Sequence, residues 1–202
     1  MSKKKEKVDK INIITLGNSS VGKTSLIQRY VDDNFENTFA TIGFNTKFKT
    51  KILSNGEKLK VNFFDTSGQE KYYSLSYNYI KNSDGILLMY DIIKKESFLK
   101  IKDWLKNIFE HKDENFPILL LGNKCDLEAE REVTKEEGIQ LANELKLKFY
   151  ETSNKDNINI EKAITELIEM IYERLGKEFA GFETDQVKLE KSKNIKKSKK
   201  FC

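Results

Sequence analysis

The chain has little of what marks a secreted, metal-caged or membrane-spanning protein. Its 202 residues include two cysteines, Cys125 and Cys202, too few for a disulfide framework, so a reducing cytosol is the expected setting. The one histidine, His111, sits at a predicted helix end without a partner signal and is assigned no catalytic role. No apolar stretch approaches the ~20 residues that a membrane span requires. Residues 1–7 are basic but lack the apolar core of a secretory signal. Internal repeats are absent. What is present, 38% hydrophobic residues, suffices for one well-buried domain with tails.

Charge is unevenly spread. Residues 177–202 carry eight lysines against four acids, and residues 1–10 carry five against two. With +4 and +3 in the two ends of a chain of net charge +4, the middle holds −3. A slightly acidic body is a poor nucleic-acid binder, and no nucleic-acid partner is expected.

The most informative stretch is Gly17-Asn18-Ser19-Ser20-Val21-Gly22-Lys23-Thr24. It follows an apolar run at residues 11–16 and leads into helix-forming sequence, the setting that the phosphate-loop pattern G-x-x-x-x-G-K-[ST] needs. Glycines let successive N–H groups turn inward toward phosphate oxygens, and the following helix adds its N-terminal dipole. Lys23 can reach the outer phosphates and the Thr24 hydroxyl can ligate Mg²⁺. By itself the loop suits ATP as well as GTP.

Strand and helix signals alternate along the rest of the chain. Residues 44–53 and 58–65 read as strands flanking Asn55-Gly56, a strong hairpin signal. Residues 85–90 and 117–122 are continuous apolar runs, as expected for central parallel strands, and residues 148–151 make a short last one. Helical spacing recurs at Ile101, Trp104, Leu105 and Ile108. A capping box at residues 134–137 opens a helix expected to turn Ile139, Leu141, Ala142 and Leu145 inward. A last helical stripe runs from Ile160 to Leu175. Such alternation predicts an α/β doubly wound sheet with ligands at the carboxyl ends of its strands. The phosphate loop, the loop after Phe64 and Gly122-Asn123-Lys124 all fall at such ends.

Asp65-Thr66-Ser67-Gly68 places a carboxylate where it can hold Mg²⁺ through water and a glycine N–H where it can meet a terminal phosphate. Asn123-Lys124-Cys125-Asp126 offers an acidic acceptor that matches the N1–H and amino donors of guanine. Adenine lacks that amino group, and an unmatched buried acceptor is costly. Cys125 reads as a packing residue, and Trp104 as core.

The ordered set GNSSVGKT, TIG, DTSGQE, NKCD and ETSNK resembles a small Ras-type GTPase. YVDDNF, DTSGQEKYYS, GILLMYD and a basic tail ending in cysteine are most similar to the Rab branch. The resemblance covers about residues 10–175 and implies a mostly parallel six-stranded sheet with one antiparallel edge strand and about five helices. It divides the chain into a basic arm (1–10), a GTP-binding domain (11–176) and a flexible polybasic tail (177–202). It implies that Ser20, Val21, Gly22, Lys23, Thr24 and Ser25 wrap the phosphates of GTP or GDP. Thr24 and Thr41 would ligate Mg²⁺ directly, with Asp65 acting through water and Gly68 on the terminal phosphate. Phe35 would stack on the base, Asn123, Lys124 and Asp126 would read it, and Ser153, Asn154 and Lys155 would close over it. Gln69 would orient the attacking water. The implied partners are an exchange factor, an activating protein, effectors and a prenyl-binding escort protein.

Departures from the Rab pattern are specific. Thr41 lies 18 positions after Lys23, one fewer than is usual, so a tighter first switch loop is expected. Asn45 and Thr46 replace the usual Asp-Phe, and Phe64 and Ser67 replace Trp and Ala. Cys202 stands where such tails usually carry two cysteines, without a C-a-a-X pattern. Its lipidation, with six lysines at residues 191–200, would make a two-signal anchor on the cytoplasmic face of an intracellular membrane. The rival expectation is a nucleotide-bound scaffold on the same fold that does not hydrolyse GTP.

Overall fold

The computed structural model describes residues 10–35, 44–66 and 73–182, with backbone alone at residues 44 and 73–76. Thr41, Gly68, Gln69 and Cys202 lie outside the described residues.

Six strands form one sheet in the order β2-β3-β1-β4-β5-β6. They are β1 (Lys10–Leu16), β2 (Phe44–Ile52), β3 (Lys58–Thr66), β4 (Gly85–Asp91), β5 (Ile118–Asn123) and β6 (Lys148–Thr152). Only the β2–β3 pair is antiparallel; every other pairing is parallel. All seven residues of β4 and all six of β5 are buried, because helices cover both faces of these strands. The two outer strands meet at the predicted Asn55-Gly56 turn, where Gly56 takes φ +85° and its N–H donates to Leu53 O at 2.8 Å.

The helices are α1 (Lys23–Asp32), α2 (Tyr73–Lys81), α3 (Lys95–Leu99), α4 (Ile101–Phe109), α5 (Lys135–Glu144) and α6 (Ile160–Arg174). Leu26, Ile27 and Tyr30 of α1 join Ile164, Leu167 and Ile171 of α6 against one face of the sheet. Ile80 of α2, Trp104 and Ile108 of α4, and Leu141 of α5 cover the other. Thr134 caps α5 in the expected box, accepting from the Glu137 N–H while the Glu137 carboxylate accepts from the Thr134 N–H.

Ile139 is not inward as expected; it is 41% exposed. The inner position belongs to its neighbour Gly138, where an added Cβ would lie 2.5 Å from the Tyr90 hydroxyl and 2.6 Å from Phe149. Two aromatic rings thus claim the space beneath α5, and the helix turns its glycine toward them. Leu175, expected in the last stripe, is exposed at the C-terminal cap of α6.

Apolar periodicity ends at Gly176, yet packing continues. Phe179 lies against Tyr172 with ring centroids 5.2 Å apart, and Phe182 against Phe179 at 5.3 Å. The chain then bridges Leu53 at Phe182, and Gly181 O accepts from the Ser54 N–H at 2.8 Å. Residues 177–182 therefore strap α6 to the tip of the β2–β3 hairpin.

A candidate nucleotide site at the carboxyl ends of the strands

The chain order places β1 between β3 and β4, so the loop after β1 opens at the point where successive connections leave in opposite directions. Gly17 begins this loop at φ +136°, and a Cβ there would fall 2.1 Å from Met89 O. Only glycine lets the loop lie this close to β4. Ser20 adopts φ 63° and Gly22 φ 98°, the left-handed conformations with which a loop of this kind can turn successive N–H groups to one side. A Cβ on Gly22 would meet Asn123 Nδ2 at 2.2 Å and Asn154 Nδ2 at 2.8 Å. The loop and both guanine-side segments therefore pack through the space a side chain would fill.

Lys23 is 4% exposed, and its ammonium donates to Gly17 O at 2.9 Å and Asn18 O at 2.8 Å. Burial pushes its pKa down to about 8, against the opposing pull of Asp65. Thr24 Oγ1 donates to Asp65 Oδ2 at 2.7 Å, joining the start of α1 to the end of β3. A hydroxyl and a buried carboxylate at this spacing are hard oxygen donors that fit Mg²⁺, which keeps water and phosphate oxygens as its remaining ligands. Val21 and Ser25 are buried on either side.

The expected guanine-side residues are held by several separate polar contacts. Asn123, fully buried, donates from Nδ2 to Val21 O at 2.8 Å and accepts from Thr152 Oγ1 at 3.2 Å. Ser153 Oγ donates to Asp126 Oδ1 at 2.6 Å and accepts from the Asp156 N–H at 2.9 Å. Asn154 donates to Gly22 O at 2.9 Å. Lys124 takes φ 70° and pairs with Asp91 Oδ2 at 2.6 Å. Lys155 is exposed beside them, and Phe35 stands 37% exposed past the end of α1.

Four contributors escaped the sequence reading. Arg29 donates to Asn154 O at 2.8 Å and Lys155 O at 3.1 Å, stapling α1 to this loop. Thr152 orients Asn123, and Asn18 accepts from the indole N–H of Trp104 at 2.9 Å. Asp91 had a signal, a charge closing an otherwise apolar strand; the other three are distant in sequence from what they hold. Cys125 is half-buried, with burial pushing its thiol pKa up, in keeping with a packing role.

The comparisons with known proteins point the same way. The Ras family model matches residues 12–173. The chain belongs to the Ras family. Among the relatives of this GTPase, human Ras-related protein Rab-3A is 44% identical over 164 residues, 81% of this chain and 74% of that one. Ras-related protein Rab-10 of Diplobatis ommata is 45% identical over 163 residues, 80% of this chain and 81% of its own. Ras-related protein Rab-3 of Caenorhabditis elegans is 42% identical over 164 residues. The chain is thus a Rab-like small GTPase with a mixed six-stranded sheet of the small G-domain type.

Proposed function

We propose that this GTPase is a Rab-like molecular switch that binds GTP and GDP with Mg²⁺ and recruits effectors to an intracellular membrane. The observation that carries the reading is the convergence of the buried Lys23 ammonium, the Thr24–Asp65 pair and the Asn123–Asp126–Ser153–Asn154 group at one end of the sheet. N–H groups of residues 20–25 would bind phosphate oxygens, and Lys23 would exchange its carbonyl partners for the outer two phosphates. Asn123, Lys124 and Asp126 would read the guanine, with Asp126 accepting from it, Phe35 would stack on the ring, and Ser153, Asn154 and Lys155 would close over it.

Thr24 and Thr41 would hold Mg²⁺, with Asp65 behind a water. When bound there, the ion would supply neutralisation of phosphate charge. Gln69 would position the attacking water, and Gly68 would meet the γ-phosphate. Hydrolysis of this kind depends on positioning and charge stabilisation rather than covalent chemistry. No arginine occurs at residues 17–24, nor beside Thr41, so turnover by the isolated protein is slow. An activating protein that supplies a guanidinium accelerates it, by about 10³–10⁵ in such systems. Thr41 and Gly68 would release on hydrolysis, the change that effectors read.

Single-turnover GTP hydrolysis by the wild type beside Gln69→Leu tests the switch. A clear drop in the mutant supports it; equal, near-zero rates in both would favour the non-hydrolysing scaffold. ATP competing with GTP for the site would overturn the guanine assignment. Attachment through a lipid on Cys202 and the tail lysines, reversed by an escort protein, predicts a prenyl mass on Cys202 of the native protein. An unmodified terminal thiol in the mass spectrum argues against it.

A further inference from the structure

Among the described residues, the outer half of the sheet is covered on one side only. In register, Thr46, Phe48, Thr50 and Ile52 of β2 lie opposite Phe64, Asn62, Lys60 and Lys58 of β3, and Lys10 and Asn12 of β1 lie beside Lys60 and Asn62. Paired residues share a face, and Asn62 Nδ2 donates to Asn12 Oδ1 at 2.9 Å across it. Near the nucleotide end Phe64 and Tyr79 pack with centroids 5.1 Å apart. Toward the opposite end no described residue covers the face. Phe48 is 57% exposed and Ile52 42% exposed, with Lys10, Lys58 and Lys60 exposed around them. The Lys60 ammonium sits 4.1 Å from the centroid of the Phe48 ring.

The charges on the two sides of this hairpin are treated differently. On the side facing α1 and α6, Lys47 pairs with Asp32, Lys51 with Glu161 at 2.7 Å, and Lys49 donates to Tyr30 O. On the bare side Lys10, Lys58 and Lys60 form no ion pair among the described residues, and none of the paired positions named above is acidic. Glu57, at the turn, is held by Asn55 Nδ2. Exposed aromatic and aliphatic groups ringed by unpaired lysines complement a surface that is anionic outside and apolar within.

Both ends of the described chain leave at this pole. Lys10 opens β1 there, preceded by residues 1–9 with four lysines against two acids. Phe182 is bridged to Leu53, next to Ile52, and residues 183–202 carry seven lysines against three acids. We propose, building on the membrane attachment argued above, that Phe48, Ile52, Lys10, Lys58 and Lys60 form a docking face for an anionic bilayer. The face meets lipid headgroups with its lysines and the interfacial zone with Phe48 and Ile52. The domain then lies with its hairpin flank on the bilayer and its nucleotide pole away from it, and the tail acts beside a folded contact rather than alone.

Vesicle sedimentation of the full, unlipidated chain tests this, using phosphatidylcholine vesicles with and without phosphatidylserine. Wild type binds the serine-containing vesicles; Lys58→Ala with Lys60→Ala lowers the partition coefficient by about tenfold, and Phe48→Ser by about threefold. GDP affinity and melting temperature stay unchanged in these variants, since none of these side chains reaches the nucleotide pole. Replacing the six tail lysines leaves residual binding that the Lys58 and Lys60 substitutions then remove. Equal binding by wild type and the face variants overturns the docking face while leaving the tail anchor standing. No vesicle binding by wild type overturns both. Vesicle binding intact while Phe48→Ser abolishes a self-association seen by light scattering would assign the face to a second copy instead.

Discussion

The inner strands β4 and β5 and the outer β2–β3 hairpin belong to one sheet but are built to different rules. Inside, both faces are covered, and polar side chains at the carboxyl pole are spoken for: the buried Asn123 by Val21 and Thr152, the buried Lys23 by two carbonyls, the half-buried Lys124 by Asp91. On the hairpin one face packs on α1 and α6 while the other carries exposed Phe48 and Ile52 and lysines without an ion pair among the described residues. Side chains fixed by many partners suit discrimination of a small rigid ligand, where a misplaced donor forfeits affinity. Loosely held side chains on a flat face suit a large, adaptable partner. The molecule keeps these two kinds of surface at separate places.

Breaking the inner set should therefore hurt far more than breaking the outer one. Lys23→Ala is expected to weaken GDP binding roughly 10²–10³-fold in titration with a fluorescent nucleotide, because a buried charge partner of phosphate is lost. Gly17→Ala, with Cβ forced against Met89 O, should lower unfolding free energy by about 3 kcal/mol in urea melts. Asn123→Ala should cost about 2 kcal/mol, since Val21 O loses its donor in a dry site; a loss below a few tenths would mean that the loop tie is ornamental. A smaller effect comes from pH. The ligand-free Lys23 ammonium deprotonates near 8, whereas bound phosphate holds the proton on. Affinity is therefore full below pH 8 and falls above it, by about tenfold at pH 9, with proton uptake on binding detectable by calorimetry in buffers of different ionisation enthalpy. Smallest of all, Phe48→Ser should move stability by no more than about 0.5 kcal/mol. A large loss there would erase the contrast between the two regions.

What could be read in the sequence follows the same divide between local and distant. Strands β4 and β5 announce themselves as apolar runs, the hairpin by Asn55-Gly56, and α5 by its capping box, because each signal lies within the element it defines. The pole of the candidate site was legible too, since GNSSVGKT, DTSGQE, NKCD and ETSNK each start at or just after the end of a strand. Ile139 was misassigned because Gly138, which holds the inner position, carries no hydrophobic signal at all. The strap escaped because Phe179 and Phe182 are isolated aromatics whose partners, Tyr172 and Leu53, are set by the fold. Arg29 reads as an ordinary helix-surface cation until α1 is laid beside residues 154 and 155.

Trp104 is the sole tryptophan, 3% exposed, with its indole N–H on the Asn18 carbonyl oxygen of the side chain. An indole so placed is shielded from solvent and bonded to the phosphate-binding turn, and no second indole contributes background emission. On the function proposed above, nucleotide exchange and hydrolysis would be followed by intrinsic fluorescence in the unlabelled protein, with the signal arising from the side chain bonded to the loop at residues 17–24.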